Sequence, residues 1–205
     1  MGIKEDTLEK AQEIARWKLV ELTDVPRIPL YMEQVTSFFD EVLAGARRND
    51  DDKILTKTMI NNYTKEGTLP RPNGKKYSRD HIIRLLYIFI LKQVLSLQDV
   101  KEVFDLMGPE AEANQLYTTY LELVEESKAQ YLEKLEGRLD LVMSKLECSG
   151  QLTNENVELL LTLLTVTEAT MGKMLIWRIL DDAKEQRRAD KEADGSKEKK
   201  QHAGA

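Results

Sequence analysis

Cysteine, histidine and aromatic residues are scarce in this 205-residue sequence. The single cysteine, Cys148, excludes an intrachain disulfide, and an aromatic content of 6% means that a core must be built mainly from Leu, Ile, Val and Met. Only five proline and ten glycine residues interrupt the chain. This composition favours helices over a sandwich of many short strands.

Residues typical of a catalytic site are also missing. His202 lies in a charged C-terminal segment, and His81 lies beside a basic cluster where a surface or phosphate-proximal role is the ordinary one. Cys148 follows Glu147, so it lacks the electropositive setting that activates a thiol. The sequence contains no Gly-rich phosphate loop, cysteine pair or His–carboxylate cluster. We therefore expect a protein that is not an enzyme and uses no cofactor or metal.

No targeting segment is evident in the sequence. Residues 1–10 are polar, and no apolar core follows them. The two most apolar stretches, Ile82–Leu95 and Val157–Leu180, contain charged residues that would be costly inside a bilayer. The sequence thus predicts two buried core helices, no membrane segment and a reducing cytoplasmic location.

The net charge of −6 conceals a strongly basic segment. Residues 53–92 contain nine Lys and Arg against two Asp and Glu, a local charge of +7 in a chain whose remainder carries −13. A basic segment on an acidic protein indicates an anionic partner. The alternative is an ordinary solvated basic face.

The spacing of apolar residues predicts helices over most of the chain. The first should start at the capping residues Asp6 and Thr7 and end near Thr23, because Pro26 and Pro29 restrict the residues before them to extended conformations. Residues 1–29 are therefore predicted to form a helix and a rigid linker.

Residues 30–108 are predicted to form one domain that ends at Gly108-Pro109. Its predicted helices start at Tyr31, Thr56, Ser78 and Ser96, and the second of them runs to about Glu66 with Gly67 as its C-terminal residue. Asn73-Gly74 is a strong hairpin-turn signal with basic residues on both sides, so we expect a small β-wing there.

Two long helices should follow as a C-terminal helical hairpin or bundle, residues 109–184. They cover about Glu110–Glu147 and Glu155–Lys184. Leu159–Val166 is apolar on nearly every face, which predicts that other helices enclose it. Residues 185–205 are highly charged and are predicted to be a disordered tail.

The order helix, loop, helix, basic wing, helix, helix is the layout of a winged helix-turn-helix, in which the second helix enters the major groove and the wing follows the backbone. Asn can pair with adenine, and Lys with guanine or phosphate. On the second helix the apolar residues Met59, Ile60 and Tyr63 leave the opposite face polar. The candidate contacts with double-stranded DNA are Lys57, Thr58, Asn61, Asn62, Lys65, Arg71, Lys75, Lys76 and Arg79.

Two family resemblances agree with this interpretation. The run Met59–Pro70, followed by Lys75-Lys76-Tyr77, resembles the DNA-binding domain of MerR-type regulators, where a Tyr four residues before a Gly is followed by Leu and Pro and then by a basic wing that ends in Tyr. Leu95–Val100 is similar to the "G-F-S-L-x-E-I" helix start of that family. This resemblance covers about residues 31–107 and implies a winged helix-turn-helix with an effector region after it.

Segments Ile28–Val35, Leu55–Tyr63 and Lys75–Ser78 more closely resemble a bacterial family catalogued as domain of unknown function 1836. That resemblance implies a regulator-like DNA-binding fold without an established activity. The chain departs from the MerR pattern at Asn61 and Asn62, where those regulators carry Arg and Tyr, and in the longer loop Ala44–Leu55.

We therefore expect an all-α protein with a small β-wing that acts as a DNA-binding transcriptional regulator. A homodimer is also expected, because the helices after residue 109 carry more apolar surface than a hairpin can bury and a helix-turn-helix usually reads two half-sites. The alternative is a helical protein-interaction or scaffold module without nucleic-acid binding. No small-molecule effector is specified by these residues.

Overall fold

The computed structural model describes the backbone of residues 2–49, 51–106 and 110–202, and the side chains of these ranges except 110–114 and 190–202. The protein is mostly helical with one small two-stranded sheet, which confirms the predicted fold class. A single turn of 3₁₀ helix, Ala44–Ala46, follows the second helix. The elements in chain order are α1 (Ile3–Ala15), β1 (Leu30–Tyr31), α2 (Met32–Val42), α3 (Lys57–Lys65), β2 (Lys76–Tyr77), α4 (Arg79–Lys92), α5 (Leu97–Leu106), α6 (Glu110–Cys148) and α7 (Asn154–His202).

The first of two apolar cores lies among α2, α3, α4 and α5. Phe39, Ile60, Leu85 and Val100, one from each helix, are fully buried in it. The prediction of a buried helix at residues 82–95 is confirmed, because six apolar side chains of α4 are buried. Tyr117 from α6 also lies in this core, so the start of α6 is fixed to it.

The sheet pairs two segments that are far apart in the sequence. β1 and β2 are antiparallel, with Leu30 opposite Tyr77, and both of these side chains are buried. A turn is present at the predicted place but is shifted by one residue. Its central residues are Gly74 and Lys75 rather than Asn73 and Gly74: they have φ values of 55° and 68°, the two positive values of a type I′ turn, and Asn73 bridges Lys76. The predicted hairpin differs in its partner, since the main ladder of β2 is formed with residues that were predicted to be linker and helix start.

Helix α1 is shorter than predicted and ends at Ala15 rather than near Thr23. Its Ala11 is buried in a second core with Leu135 and Leu139 of α6, whereas Val20 is buried in the first core. A single straight helix cannot place Ala11 in one core and Val20 in the other, so the helix ends between these two residues. Residues 1–29 therefore do not form a unit of their own, and the predicted boundary at Gly108-Pro109 lies outside the described residues.

Helix α7 differs from the prediction in length and in exposure. It continues to His202, past the predicted end at Lys184, because the charged segment is rich in Ala, Lys, Glu and Arg, which are strong helix formers. The segment Leu159–Val166 is not enclosed within one chain, and Leu159, Leu163 and Val166 are 53–58% exposed. Composition alone does not reveal what a helix packs against, so the prediction that other helices enclose Leu159–Val166 leaves open whether they belong to this chain or to a second copy.

Residues 154–189 of α7 are long and apolar enough to span a membrane, judged by length and composition only. An 18-residue window there has a mean hydropathy of 1.5, and none of that window is buried. Core helices of soluble proteins meet the same criterion, so the finding assigns no location.

Candidate nucleic-acid interface

Helix α3 has well-defined ends and one buried face. The Thr56 hydroxyl caps its first turn by accepting a hydrogen bond from the Met59 backbone N–H at 3.2 Å. Gly67, with φ +75°, ends the helix in the left-handed conformation that glycine tolerates best. Ile60 and Tyr63 are buried in the first core, so the remaining face of α3 points outward.

All five residues of α3 that were predicted to contact DNA are exposed. At about 100° per residue they fall within an arc of about 140°, opposite the buried face. The arc combines three short polar side chains with two lysines, and the nine-residue helix is about 13 Å long. These residues are Lys57, Thr58, Asn61, Asn62 and Lys65.

Lys57 already has an acidic partner on α2. Its Nζ lies 2.7 Å from Oε1 of Glu33, and both side chains are exposed. The hydrogen bond from Lys57 is the main reason why the pKa of Glu33 lies below its ordinary value. A phosphate that contacts Lys57 would therefore have to displace a carboxylate, which an exposed ion pair allows at low cost.

The basic turn lies in the same domain as the α3 arc. Lys75 and Lys76 are exposed on the type I′ turn, and Arg71 is exposed just before it. Tyr77 fixes the turn to the core, since its side chain is buried directly after the two lysines. The Lys76 ammonium lies 5.2 Å from the centre of the exposed Tyr31 ring, which places a cation and an aromatic ring together.

Arg79 differs from the other predicted contact residues. One terminal nitrogen donates a hydrogen bond to the Val25 carbonyl at 2.9 Å, and the other donates to the Leu22 carbonyl. The side chain is part-buried, and these bonds tie the irregular segment before β1 to the start of α4. Its cationic group therefore faces the protein rather than the surface shared by Lys75 and Lys76.

His81 also has a local structural role. Its Nδ1 lies 2.7 Å from the Ser78 hydroxyl and accepts from the Ser78 backbone N–H at 3.2 Å, as part of a capping box at the start of α4. The ring packs edge-on against Tyr77, with the centroids 5.7 Å apart. His81 therefore contacts Tyr77 and Ser78, the two residues that directly follow the lysines of the basic turn.

A polar groove beside the start of α3 was missed by sequence reasoning. It lies between α2 and the loop after the 3₁₀ turn, and Asp40, Asp51 and Asp52 line it together with Arg47 and Lys53. Arg47 donates to the Asp40 carboxylate at 2.8 Å, so part of this charge is neutralised. No sequence motif signals the groove, because the long loop has to fold back on α2 to form it.

Residues 20–123 match the family described as Domain of unknown function (DUF1836), and they make up just over half of the chain. The protein therefore belongs to this family. The matched region contains the first core, the α3 arc and the basic turn, and it ends within α6. No curated protein and no solved structure gives a significant match to the chain.

Within the described residues, no group of three or more His, Cys, Asp or Glu side chains is arranged to hold a metal ion.

Proposed function

We propose that the protein is a DNA-binding regulator in which α3 enters the major groove and the basic turn contacts phosphates. The observation that carries the proposal is the exposed arc of amide, hydroxyl and ammonium groups on α3, held by the same core that presents Lys75 and Lys76. Asn and Lys are side chains that read base edges, and exposed lysines on a turn suit the backbone.

The order of the elements supports a winged helix-turn-helix of the MerR type. A short strand precedes α2, α3 follows, and a type I′ turn leads into the strand that pairs back on the first. An α-helix fits the major groove, which is about 12 Å wide. The departures at Asn61 and Asn62 imply base reading at positions where MerR-type proteins carry larger side chains.

The candidate residues divide by chemistry into two groups. Thr58, Asn61 and Asn62 are short and uncharged, so they suit base edges. The lysines at the two ends of α3 and the cations of the turn suit phosphates. Arg79 is left out of the contact set because its guanidinium holds two backbone carbonyls. The proposed phosphate contacts are Lys57, Lys65, Arg71, Lys75 and Lys76.

The test is a titration of duplex DNA at two salt concentrations. If about four of these five cations neutralise phosphates in each subunit, the slope of log affinity against log salt is about −3 to −4 per subunit. Replacing Lys75 and Lys76 by Ala should weaken binding to all sequences and flatten that slope by about two.

The matched control is the Lys134→Ala/Lys145→Ala double variant. It removes the same charge from exposed positions on α6, far along the chain from the basic turn. Equal affinities for the wild type and the Lys75/Lys76 variant, or no binding to any duplex at low salt, would contradict the proposal. That result would favour the protein-interaction alternative, for which the exposed apolar surface of α7 is the supporting observation.

A further inference from the structure

The part of α7 between Val157 and Leu180 contains a long exposed segment within the described part of the chain. Val157 is buried against the second core, and Leu180 is buried near the other end. Between them every residue from 162 to 172 is exposed, which is about three helical turns. The segment is thus anchored on both sides and, apart from the ion pair between Glu168 and Arg138 of α6, uncovered.

The uncovered surface is strongly apolar. Nine large apolar side chains of α7 are at least 40% exposed. At roughly 100 Å² each they present about 900 Å² per chain, of the order of the ~800 Å² per partner of a stable protein interface, and burying most of it takes both helices of a partner hairpin. These side chains are Leu159, Leu163, Leu164, Val166, Met171, Met174, Leu175, Trp177 and Ile179.

Part of this surface forms a stripe suited to helix pairing. Leu159, Leu163, Val166, Thr170 and Met174 follow one another at spacings of four, three, four and four. Such spacing places side chains along one side of a helix, as in the seam of two packed helices. The stripe is centred close to Val166, so an antiparallel copy that crosses there would place Leu159 beside Met174.

The charges on α7 favour that antiparallel direction. Residues 154–166 contain Glu155 and Glu158 and no cation, whereas Lys173 and Arg178 lie in residues 167–180. The remaining charge there, Glu168, is already paired with Arg138 of the same chain. An antiparallel pair places the acidic half of one helix beside the basic half of the other, whereas a parallel pair would align like charges.

We propose that α7 binds α7 of a second copy of this chain, antiparallel and crossing near Val166. The pair joins two α6–α7 hairpins into a four-helix arrangement around the uncovered segment. A bilayer is a poorer occupant, because Glu158, Lys173 and Arg178 would enter the hydrocarbon with the apolar residues. This assembly does not depend on DNA binding.

The first test is sedimentation of the full chain without DNA at tens of micromolar. The wild type should be a dimer, and Val166→Glu should be a monomer, because two carboxylates would face each other at the crossing. Val166 is exposed within one chain, so its substitution should leave the fold of that chain intact. The matched control is Leu123→Glu on α6, since Leu123 and Val166 are both 58% exposed; this variant should remain a dimer.

The second test determines the direction of the pair with single cysteines in a Cys148→Ser background. A disulfide needs Cα atoms within about 7 Å. Val166→Cys should therefore link to its own copy on oxidation. Leu159→Cys should not link to itself, because two such residues lie about 22 Å apart in the antiparallel pair. It should link when mixed with Met174→Cys chains.

Three outcomes would overturn this inference. They are a wild type that is monomeric at tens of micromolar, a Val166→Glu variant that stays dimeric, and self-linking of Leu159→Cys, which indicates a parallel pair. A monomer that co-sediments with phosphatidylcholine–phosphatidylglycerol vesicles would instead assign the α7 surface to lipid. A protein that does not bind DNA would still give the same sedimentation and cross-linking results. The proposal for α7 pairing can therefore fail or hold independently of the proposal for DNA binding.

Discussion

Residues of the same charge have different roles in the basic segment, and the difference lies in what each cationic group contacts. Lys75 and Lys76 end in solvent on a fixed turn, whereas the guanidinium of Arg79 holds the carbonyls of Leu22 and Val25. The sequence reveals that each of these side chains is cationic, but not which group accepts its hydrogen bonds. Eight of the nine predicted contact residues are exposed, and only Arg79 is directed into the protein.

Replacing Arg79 by Ala should therefore reduce stability rather than DNA affinity. Two part-buried carbonyls lose a charged donor, which costs about 1.5–3 kcal/mol in the free energy of unfolding. Urea unfolding measures the loss, and the salt slope of duplex binding should stay at the wild-type value. Arg71→Ala is the control, since it should flatten the slope and leave stability unchanged. A flatter slope for Arg79→Ala with normal stability would contradict this assignment.

At the scale of one element, α3 separates folding from recognition on its two faces. Tyr63 is 6% exposed and packs in the first core, whereas Asn61, two residues earlier, is exposed. Burial also raises the pKa of the Tyr63 hydroxyl. The two faces can therefore be altered independently.

Tyr63→Ala should lower the free energy of unfolding by about 3–5 kcal/mol, because it removes a large buried side chain and leaves a cavity. Asn61→Ala should change stability by no more than about 0.5 kcal/mol. In DNA binding it should cost about 1–3 kcal/mol at the base pair that it contacts. Urea unfolding and a titration series over single base-pair changes measure the two effects.

An Asn61→Ala protein with unchanged preference at every base pair would contradict the proposed position of α3 in the major groove. Tyr31→Ala is the control for the stability arm, because this tyrosine is 49% exposed. It should lose much less stability than Tyr63→Ala.

Elements with local signals were predicted well, and those with non-local partners were not. The cap at Thr56, the end at Gly67 and the start of α4 after Ser78 follow from neighbouring residues, and the structure has them where predicted. β1 was missed because its partner lies about 45 residues along the chain. The end of α1 was also mispredicted for a non-local reason. Ala11 packs in the second core and Val20 in the first, and the helix ends between them.

At the scale of the whole molecule, sequence reasoning recognised how apolar α7 is but not where it lies. An apolar helix was expected to be enclosed, and the structure leaves its middle uncovered in one chain. The amount of apolar surface already predicted that the α6–α7 hairpin could not bury all of it, and the structure shows which side chains of α7 stay exposed in one chain. The candidate α3 arc was easier to predict, because a nine-residue helix with one buried face leaves the other exposed.

Tyr117, which is buried near the start of α6, joins that helix to the first core. The Tyr117 hydroxyl donates a hydrogen bond to the Val20 carbonyl at 2.9 Å, and its ring packs edge-on against Tyr87 with the centroids 5.2 Å apart. Burial raises the pKa of Tyr117 far above its ordinary value and raises the pKa of Tyr87 to about 12, with a smaller contribution from Tyr120. The folded protein thus holds both phenols neutral at a pH where the unfolded chain ionises them.

This predicts a loss of stability at alkaline pH. Below pH 10, the ordinary tyrosine pKa, both states keep the phenolic protons and the free energy of unfolding is unaffected by them. Between pH 10 and about 12 the unfolded chain binds fewer protons than the folded one, so stability falls as pH rises. Lys4 and Lys184, whose ion pairs raise their pKa values, act in the same direction.

A Tyr87→Phe/Tyr117→Phe variant separates the tyrosines from the lysines. At pH 8 it should be less stable than the wild type, because the buried Val20 carbonyl loses its donor at a cost of about 1–3 kcal/mol. Between pH 10 and 12 its stability should fall less steeply, so the two curves converge. Urea unfolding at pH 8, 10 and 11 measures this, with Tyr131→Phe as the exposed control. Parallel curves for the wild type and the variant would show that these phenols do not govern alkaline unfolding.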